Sequence, residues 1–121
     1  MTAFDAATLD SLHRTREVGI RTRRHPERAI TIWIVVVDGA VYVRSVRGRT
    51  GQWFRSAVHD GDATLVIDGR DVAVRVVPVT DQTTIDAVSG GLSSKYASSP
   101  YLPSMLRADV LSTTLRLDPR Q

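Results

Sequence analysis

The chain has 121 residues, a formal net charge of +3, 42% hydrophobic and 24% charged residues, and no cysteine. That is enough for one domain, residues 1–121, with its own core, and the balance is that of a globular chain rather than a disordered tail. Disulfides, thiolate metal sites and cysteine nucleophiles are excluded, and the longest apolar run, Ile32 to Val37, is strand-sized rather than membrane-spanning.

The N-terminal stretch carries Asp5 and Asp10 and lacks the apolar segment of a secretion leader, so a cytoplasmic location is expected. Almost every basic residue is arginine, with Lys95 the only lysine. The small positive excess permits nucleic-acid binding without arguing for it.

In chain order, Phe4, Leu9 and Leu12 fall at helical spacing, and Thr2 or Asp5 is positioned to cap a short helix within Met1 to Arg16. Val18, Ile20 and Thr22 alternate with Gly19 and Arg21, which predicts a half-buried strand. The polar stretch Arg21 to Arg28 contains Pro26 and reads as a loop. Its basic cluster, Arg23, Arg24, His25 and Arg28, is either a solvated surface or a lid over a site. Ala29 to Val37, AITIWIVVV, predicts one strand buried on both faces, with one face in a barrel and the other against a helix or a second subunit. Asp38-Gly39 makes a tight hairpin, because both residues tolerate positive φ, and Ala40 to Val46 is the return strand.

A helix is expected from about Thr50 to His59 with Thr50 as its N-cap. Ala63 to Ile67 and Asp71 to Val77 form a second hairpin across Asp68-Gly69-Arg70, and Val72, Val74 and Val76 point to one face of it. Ile85, Val88, Leu92 and Tyr96 hold helical spacing from about Asp81 to Ala97, with a weakening or kink expected at Gly90-Gly91. Ser104 to Arg107 suggests one helical turn. Leu111, Thr113, Leu115 and Leu117 alternate as a final strand ended by Pro119. About six short strands with inserted helices predict an α+β fold, mainly β: a small antiparallel split barrel.

The chemistry concentrates in YVRSVRGRTGQWFRSA, Tyr42 to Ala57. Arg44, Arg47, Arg49 and Arg55 offer planar forks matched to phosphate or carboxylate oxygens. Ser45 and Thr50 add hydroxyls, Gly48 and Gly51 add backbone freedom, and the following helix start would add free N–H groups and a positive dipole end. Trp53, and Trp33 on the preceding hairpin, offer flat apolar surface. The stretch therefore reads either as a site for an anionic, ring-bearing small molecule or as a solvated basic loop beside core tryptophans. His13, His25 and His59 are too scattered to suggest a metal site. No nucleophile elbow, Walker loop or dinucleotide fingerprint is present, so any hard chemistry would come from a cofactor.

The Ile32-Trp33 pair, the run YVRS from Tyr42 to Ser45 and the pattern RGR-x-G-x-W from Arg47 to Trp53 resemble a small family of uncharacterised bacterial proteins. That family is similar to the split-barrel flavin-binding folds, which include pyridoxamine-phosphate oxidases and deazaflavin-dependent reductases. The resemblance covers nearly the whole chain. It implies an antiparallel split barrel, usually a homodimer with cofactor sites at the subunit interface. It also implies that Arg44, Ser45, Arg47, Gly48, Arg49 and Thr50 hold a cofactor phosphate, with Trp33 and Trp53 lining the ring or the dimer contact. The Arg–Lys and Ser–Lys phosphate motifs of the oxidases are not recognisable here.

The leading expectation is thus a flavin- or deazaflavin-dependent oxidoreductase that uses FMN or a deazaflavin for hydride transfer. The alternative is a non-catalytic split-barrel module that keeps the pocket but uses it to sense or carry an anionic small molecule, in which case the cofactor need be none. A nucleic-acid or protein interaction domain ranks third.

Overall fold

The computed structural model describes residues 3–120. The elements, in order, are α1 (Ala6–Arg14), β1 (Val18–Arg21), β2 (Ile30–Ile32), β3 (Val35–Val37), β4 (Ala40–Val43), a 3-10 turn (Gly48–Thr50), α2 (Gln52–Asp60), β5 (Asp62–Ile67), β6 (Arg70–Pro78), α3 (Gln82–Lys95), α4 (Leu102–Met105), α5 (Ala108–Leu111) and β7 (Leu115–Pro119). The strands form one antiparallel sheet in the order β2-β1-β5-β6-β7-β4-β3.

The stretch expected to be one strand, Ala29 to Val37, is two. It divides at Trp33 and Ile34, with β2 pairing with β1 at one edge of the sheet and β3 pairing with β4 at the opposite edge. Two residues cannot span a flat seven-stranded sheet, given about 4.8 Å between neighbouring strands. The sheet therefore curls until its edges approach, and Trp33-Ile34 becomes the seam of a split barrel.

No ladder partner serves the backbone at this seam, so side chains from the end of α3 take over. The Tyr96 hydroxyl accepts from the Ile34 N–H at 3.2 Å and donates to the Arg16 carbonyl at 2.6 Å. The Lys95 ammonium donates to the Ile34 carbonyl at 2.7 Å and to the Leu12 carbonyl at 2.8 Å. Burial, and secondarily the nearby Arg16 charge, pull the Lys95 pKa down to about 8.

Two apolar clusters lie on the two sides of the sheet. Ile34, Val36, Val41, Val43, Leu65 and Leu117 face the barrel interior, which α1 and α2 cover with Leu12, Phe54 and Ala57. Val35 and Tyr42 face outward against Ile85, Val88 and Leu92 of α3. The second apolar face of the Ala29–Val37 stretch is thus taken by α3. Gly91 permits the close approach, because a Cβ there would lie 2.9 Å from a Val37 methyl, and α3 runs unbroken through the glycine pair.

Local chemistry explains the turns and caps. Asp38-Gly39 and Asp68-Gly69 both sit at positive φ and close their hairpins. Asp5 and Asp81 cap α1 and α3 by accepting from the N–H groups of Thr8 and Thr84; Thr2, the other candidate for α1, lies outside the described residues. The expected strand from Leu111 begins only at Leu115. Ala108–Leu111 is instead a turn of helix, and the Thr113 and Thr114 hydroxyls donate back to the Val110 and Leu111 carbonyls at 2.6 and 2.7 Å. Pro119 is the last residue of β7 rather than a stop beyond it. Among the described residues, no helix is long and apolar enough to cross a membrane.

Candidate functional site

Beyond β4 the chain leaves the sheet, and its first residues are fixed from beneath. Arg44 is 2% exposed. Its guanidinium donates to Thr114 Oγ1 at 2.9 Å, the Met105 carbonyl at 3.0 Å and the Ile85 carbonyl at 2.9 Å. Burial without a carboxylate partner pulls its pKa below the ordinary arginine value. Arg44 therefore ties β4 to α3, α4 and the start of β7. The Ser45 N–H donates to Thr113 Oγ1 at 3.0 Å, and its hydroxyl donates to the Gly48 carbonyl at 2.8 Å. Gly48 turns the chain at φ +67°.

Thr50 is not the N-cap of α2. Its hydroxyl donates to the Arg47 carbonyl at 2.9 Å, and the N-cap is Gly51, which has no side chain to satisfy the helix start. The first amides of α2 consequently have no capping oxygen.

Above this turn lies a cavity of about 460 Å³, within the usual range for a small-molecule site. Trp33, Arg44, Ser45, Arg47 and Trp53 line it. Gly48, Arg49 and Thr50 do not: Gly48 packs under Asp109, and Arg49 and Thr50 are exposed outside it. Of the lining residues, Arg44 and Ser45 have their polar groups engaged in the scaffold, whereas Arg47 is exposed in the wall beside the uncapped start of α2, where Gly51 and Gln52 also line the space.

The rest of the wall comes from segments distant in sequence. β2 contributes Ile30, Thr31 and Ile32, and the loop before it contributes His25 and Arg28. Glu17, Tyr101 and Met105 also line the cavity. The basic cluster at Arg23 to Arg28 is thereby divided. His25 and Arg28 face the cavity, while Arg23 turns away to pair with Asp62, which Arg120 also holds at 3.0 Å. Other surface arginines are likewise matched: Arg21 with Asp71, Arg107 with Asp109 and Arg116 with Asp118. Part of the arginine charge is thus neutralised locally by aspartates.

The two tryptophans differ. Trp53 meets Phe54 edge to face, with centroids 6.3 Å apart and planes at 83°, and packs on the barrel core. Trp33 lies flat on Tyr96, with centroids 3.9 Å apart and planes within 1°.

The wall can therefore accept an anion through Arg47 and the α2 amides and a planar ring through an indole. Among the described residues, no cluster of metal-ligating side chains occurs, and Glu17 is the sole carboxylate in the wall.

An antiparallel curled sheet with helices over both faces and a cavity at the seam defines the split-barrel class. Solved structures agree on the fold. The chain superposes on an FAD-binding protein from Mesorhizobium loti with a TM-score of 0.60, 11% identity, 98% of this chain and 92% of that one. It superposes on a protein from Listeria innocua assigned as a pyridoxamine 5′-phosphate oxidase with a TM-score of 0.61, 12% identity, and 95% and 92% coverage. HutZ, the heme storage protein from Vibrio cholerae, gives a TM-score of 0.62 at 7% identity, with 96% and 90% coverage. No curated protein matches the chain. The chain belongs to DUF2255, the family described as uncharacterized protein conserved in bacteria, whose profile matches residues 8–117.

Proposed function

We propose that this protein binds an anionic, ring-bearing small molecule in the seam cavity, with a flavin or deazaflavin nucleotide as the first candidate. The observation that carries this reading is the convergence of Arg47, the uncapped start of α2 and two indoles on one cavity of about 460 Å³. Arg47 and the α2 amides would hold the phosphate, and the indoles would hold the ring. The FAD-binding and oxidase-like neighbours support this choice of ligand class.

A bound flavin would supply hydride transfer, and the chain's own part would be to bind, orient and shield it. Val46 and Tyr101, exposed by 46% and 71% at or beside the cavity, supply apolar surface that a second copy of the chain would cover. A homodimer is therefore part of the reading, checked by light scattering at tens of micromolar.

Titration with FMN and with a deazaflavin cofactor tests the proposal. Micromolar binding is expected, weakened about tenfold or more in Arg47→Ala, since a hydrogen bond to a charged group contributes roughly 1.5–3 kcal/mol. Binding as tight in the variant as in the unaltered protein would overturn the phosphate assignment.

A second reading is a non-catalytic binding role. The cavity wall holds a single carboxylate, Glu17, so it has no carboxylate pair for acid–base work, and His25 is the other titratable group of that kind in the wall. Tight binding with no turnover of a reduced cofactor would support that alternative.

A further inference from the structure

The two indoles in the cavity wall are not equivalent, and the difference identifies where a ring would sit. Trp53 is the second residue of α2 and belongs to the anion end beside Arg47. Its ring meets Phe54 at 83°, with centroids 6.3 Å apart, and packs on the barrel core. Trp33 occupies the seam, and one of its faces is covered by Tyr96 at 3.9 Å, nearly parallel. Tyr96 is 1% exposed and does not reach the cavity, so the part of Trp33 that lines the cavity is not the part that Tyr96 covers.

Tyr96 is itself immobilised. Its hydroxyl bonds Ile34 and Arg16, and the Arg16 guanidinium and Lys95 ammonium lie 5.0 and 5.5 Å from its ring centroid. The cation–π contacts found among the described residues fall on Tyr96, which leaves the electron-rich indole of Trp33 to attract an electron-poor ring by stacking.

We propose that the part of Trp33 that lines the cavity, which Tyr96 does not cover, is the platform for the ligand ring, an electron-poor planar heteroaromatic system, and that Tyr96 is the positioning residue that fixes the platform from behind. This rests on the reading above for the existence of a ring-bearing ligand, and it selects Trp33 over Trp53 as the residue that recognises the ring.

The test uses two probes with the full chain: riboflavin, which has the ring without the phosphate, and FMN, which has both. In Trp53→Phe, where Trp33 is the only tryptophan, saturation with either probe is expected to quench the remaining emission and to add a long-wavelength charge-transfer shoulder to the flavin spectrum. Trp33→Leu should weaken riboflavin binding at least tenfold and remove the shoulder, and Trp53→Leu should weaken it less than threefold. Tyr96→Leu should lose affinity as Trp33→Leu does, and Tyr96→Phe, which restores the stacked ring, should recover binding to within threefold of the unaltered protein.

A larger loss in Trp53→Leu than in Trp33→Leu, or Trp33 emission unchanged by both probes, overturns the proposal. Recovery failing in Tyr96→Phe while that variant stays folded overturns the role of Tyr96. The outcomes separate the two readings. Riboflavin binding through Trp33 with no effect of Arg47→Ala on FMN keeps the platform and removes the phosphate end. FMN binding through Arg47 that ignores Trp33→Leu does the reverse.

Discussion

Gly51 sits against Ser45 so closely that a methyl group on its Cα would overlap the Ser45 hydroxyl oxygen. That oxygen is not free to retreat, since it is bonded to the Gly48 carbonyl and buried. Gly51 is therefore required by contact rather than by backbone conformation, its φ being an ordinary −59°. Gly51→Ala should displace the 45–51 turn and the start of α2, at a cost of about 1–3 kcal/mol for overpacking. Denaturant unfolding measures the loss. A variant as stable as the unaltered chain would mean that the turn yields without cost.

Arg44 makes a different demand. Arg44→Met keeps much of the volume but leaves the Met105 and Ile85 carbonyls and the Thr114 hydroxyl without their donor. Unmet buried acceptors cost about 1–3 kcal/mol each, and relief of the buried charge offsets part of that. A net loss of about 3 kcal/mol is expected by chemical denaturation, with ligand affinity in the surviving folded fraction changed far less than by Arg47→Ala.

Lys95 gives the seam a pH dependence. Its pKa falls from 10.5 in the unfolded chain to about 8 in the fold, so between those values the unfolded chain binds more protons. Stability then rises with pH across about 8 to 10.5, as the buried ammonium becomes neutral. Tyr96 acts in the opposite sense. Burial raises its pKa above 10, so folding loses stability as the unfolded phenol ionises. Denaturant midpoints measured from pH 7 to 9.5 should climb relative to those of Lys95→Met. Parallel curves for the two proteins would contradict the assignment.

Thr50 and Arg49 are expected to matter little. Thr50 caps nothing, and Arg49 lies outside the cavity. Thr50→Val should change stability by less than about 0.5 kcal/mol, and Arg49→Ala should change FMN affinity less than twofold in the titration that Arg47→Ala impairs. A large effect of Arg49→Ala would place the anion on the outer side of the turn.

The features legible in the sequence are those with short-range causes. Asp38-Gly39 and Asp68-Gly69 marked hairpins because their positive φ is a local requirement, and Val72, Val74 and Val76 marked one face of β6 by alternation alone. The break at Trp33-Ile34 was illegible, for no glycine or proline signals it; the groups that satisfy it, on Lys95 and Tyr96, lie some sixty positions away. Arg44 looked like one more ligand-binding arginine because three distant neutral acceptors leave no trace beside it. Thr50 looked like a cap, but its hydroxyl turned back to Arg47 instead. Trp33 and Arg47 were legible by type as candidates, and both line the cavity; Glu17, Arg28 and Tyr101 come to its wall from separate segments that only the curled sheet assembles.

The position of β7 has a kinetic consequence. The last strand in the chain lies in the interior of the sheet, between β6 and β4. Until it pairs, β1, β2, β5 and β6 can form one half and the β3–β4 hairpin another, with no hydrogen-bonded strand between them. The joining pair Val43↔Leu115 spans most of the chain, and contacts so far apart in sequence form slowly. On the ribosome, where synthesis runs from the N-terminus, the half-sheets therefore wait with β6 and β4 as open edges until β7 emerges, and that interval is when the nascent chain is most exposed to pairing with the wrong strand.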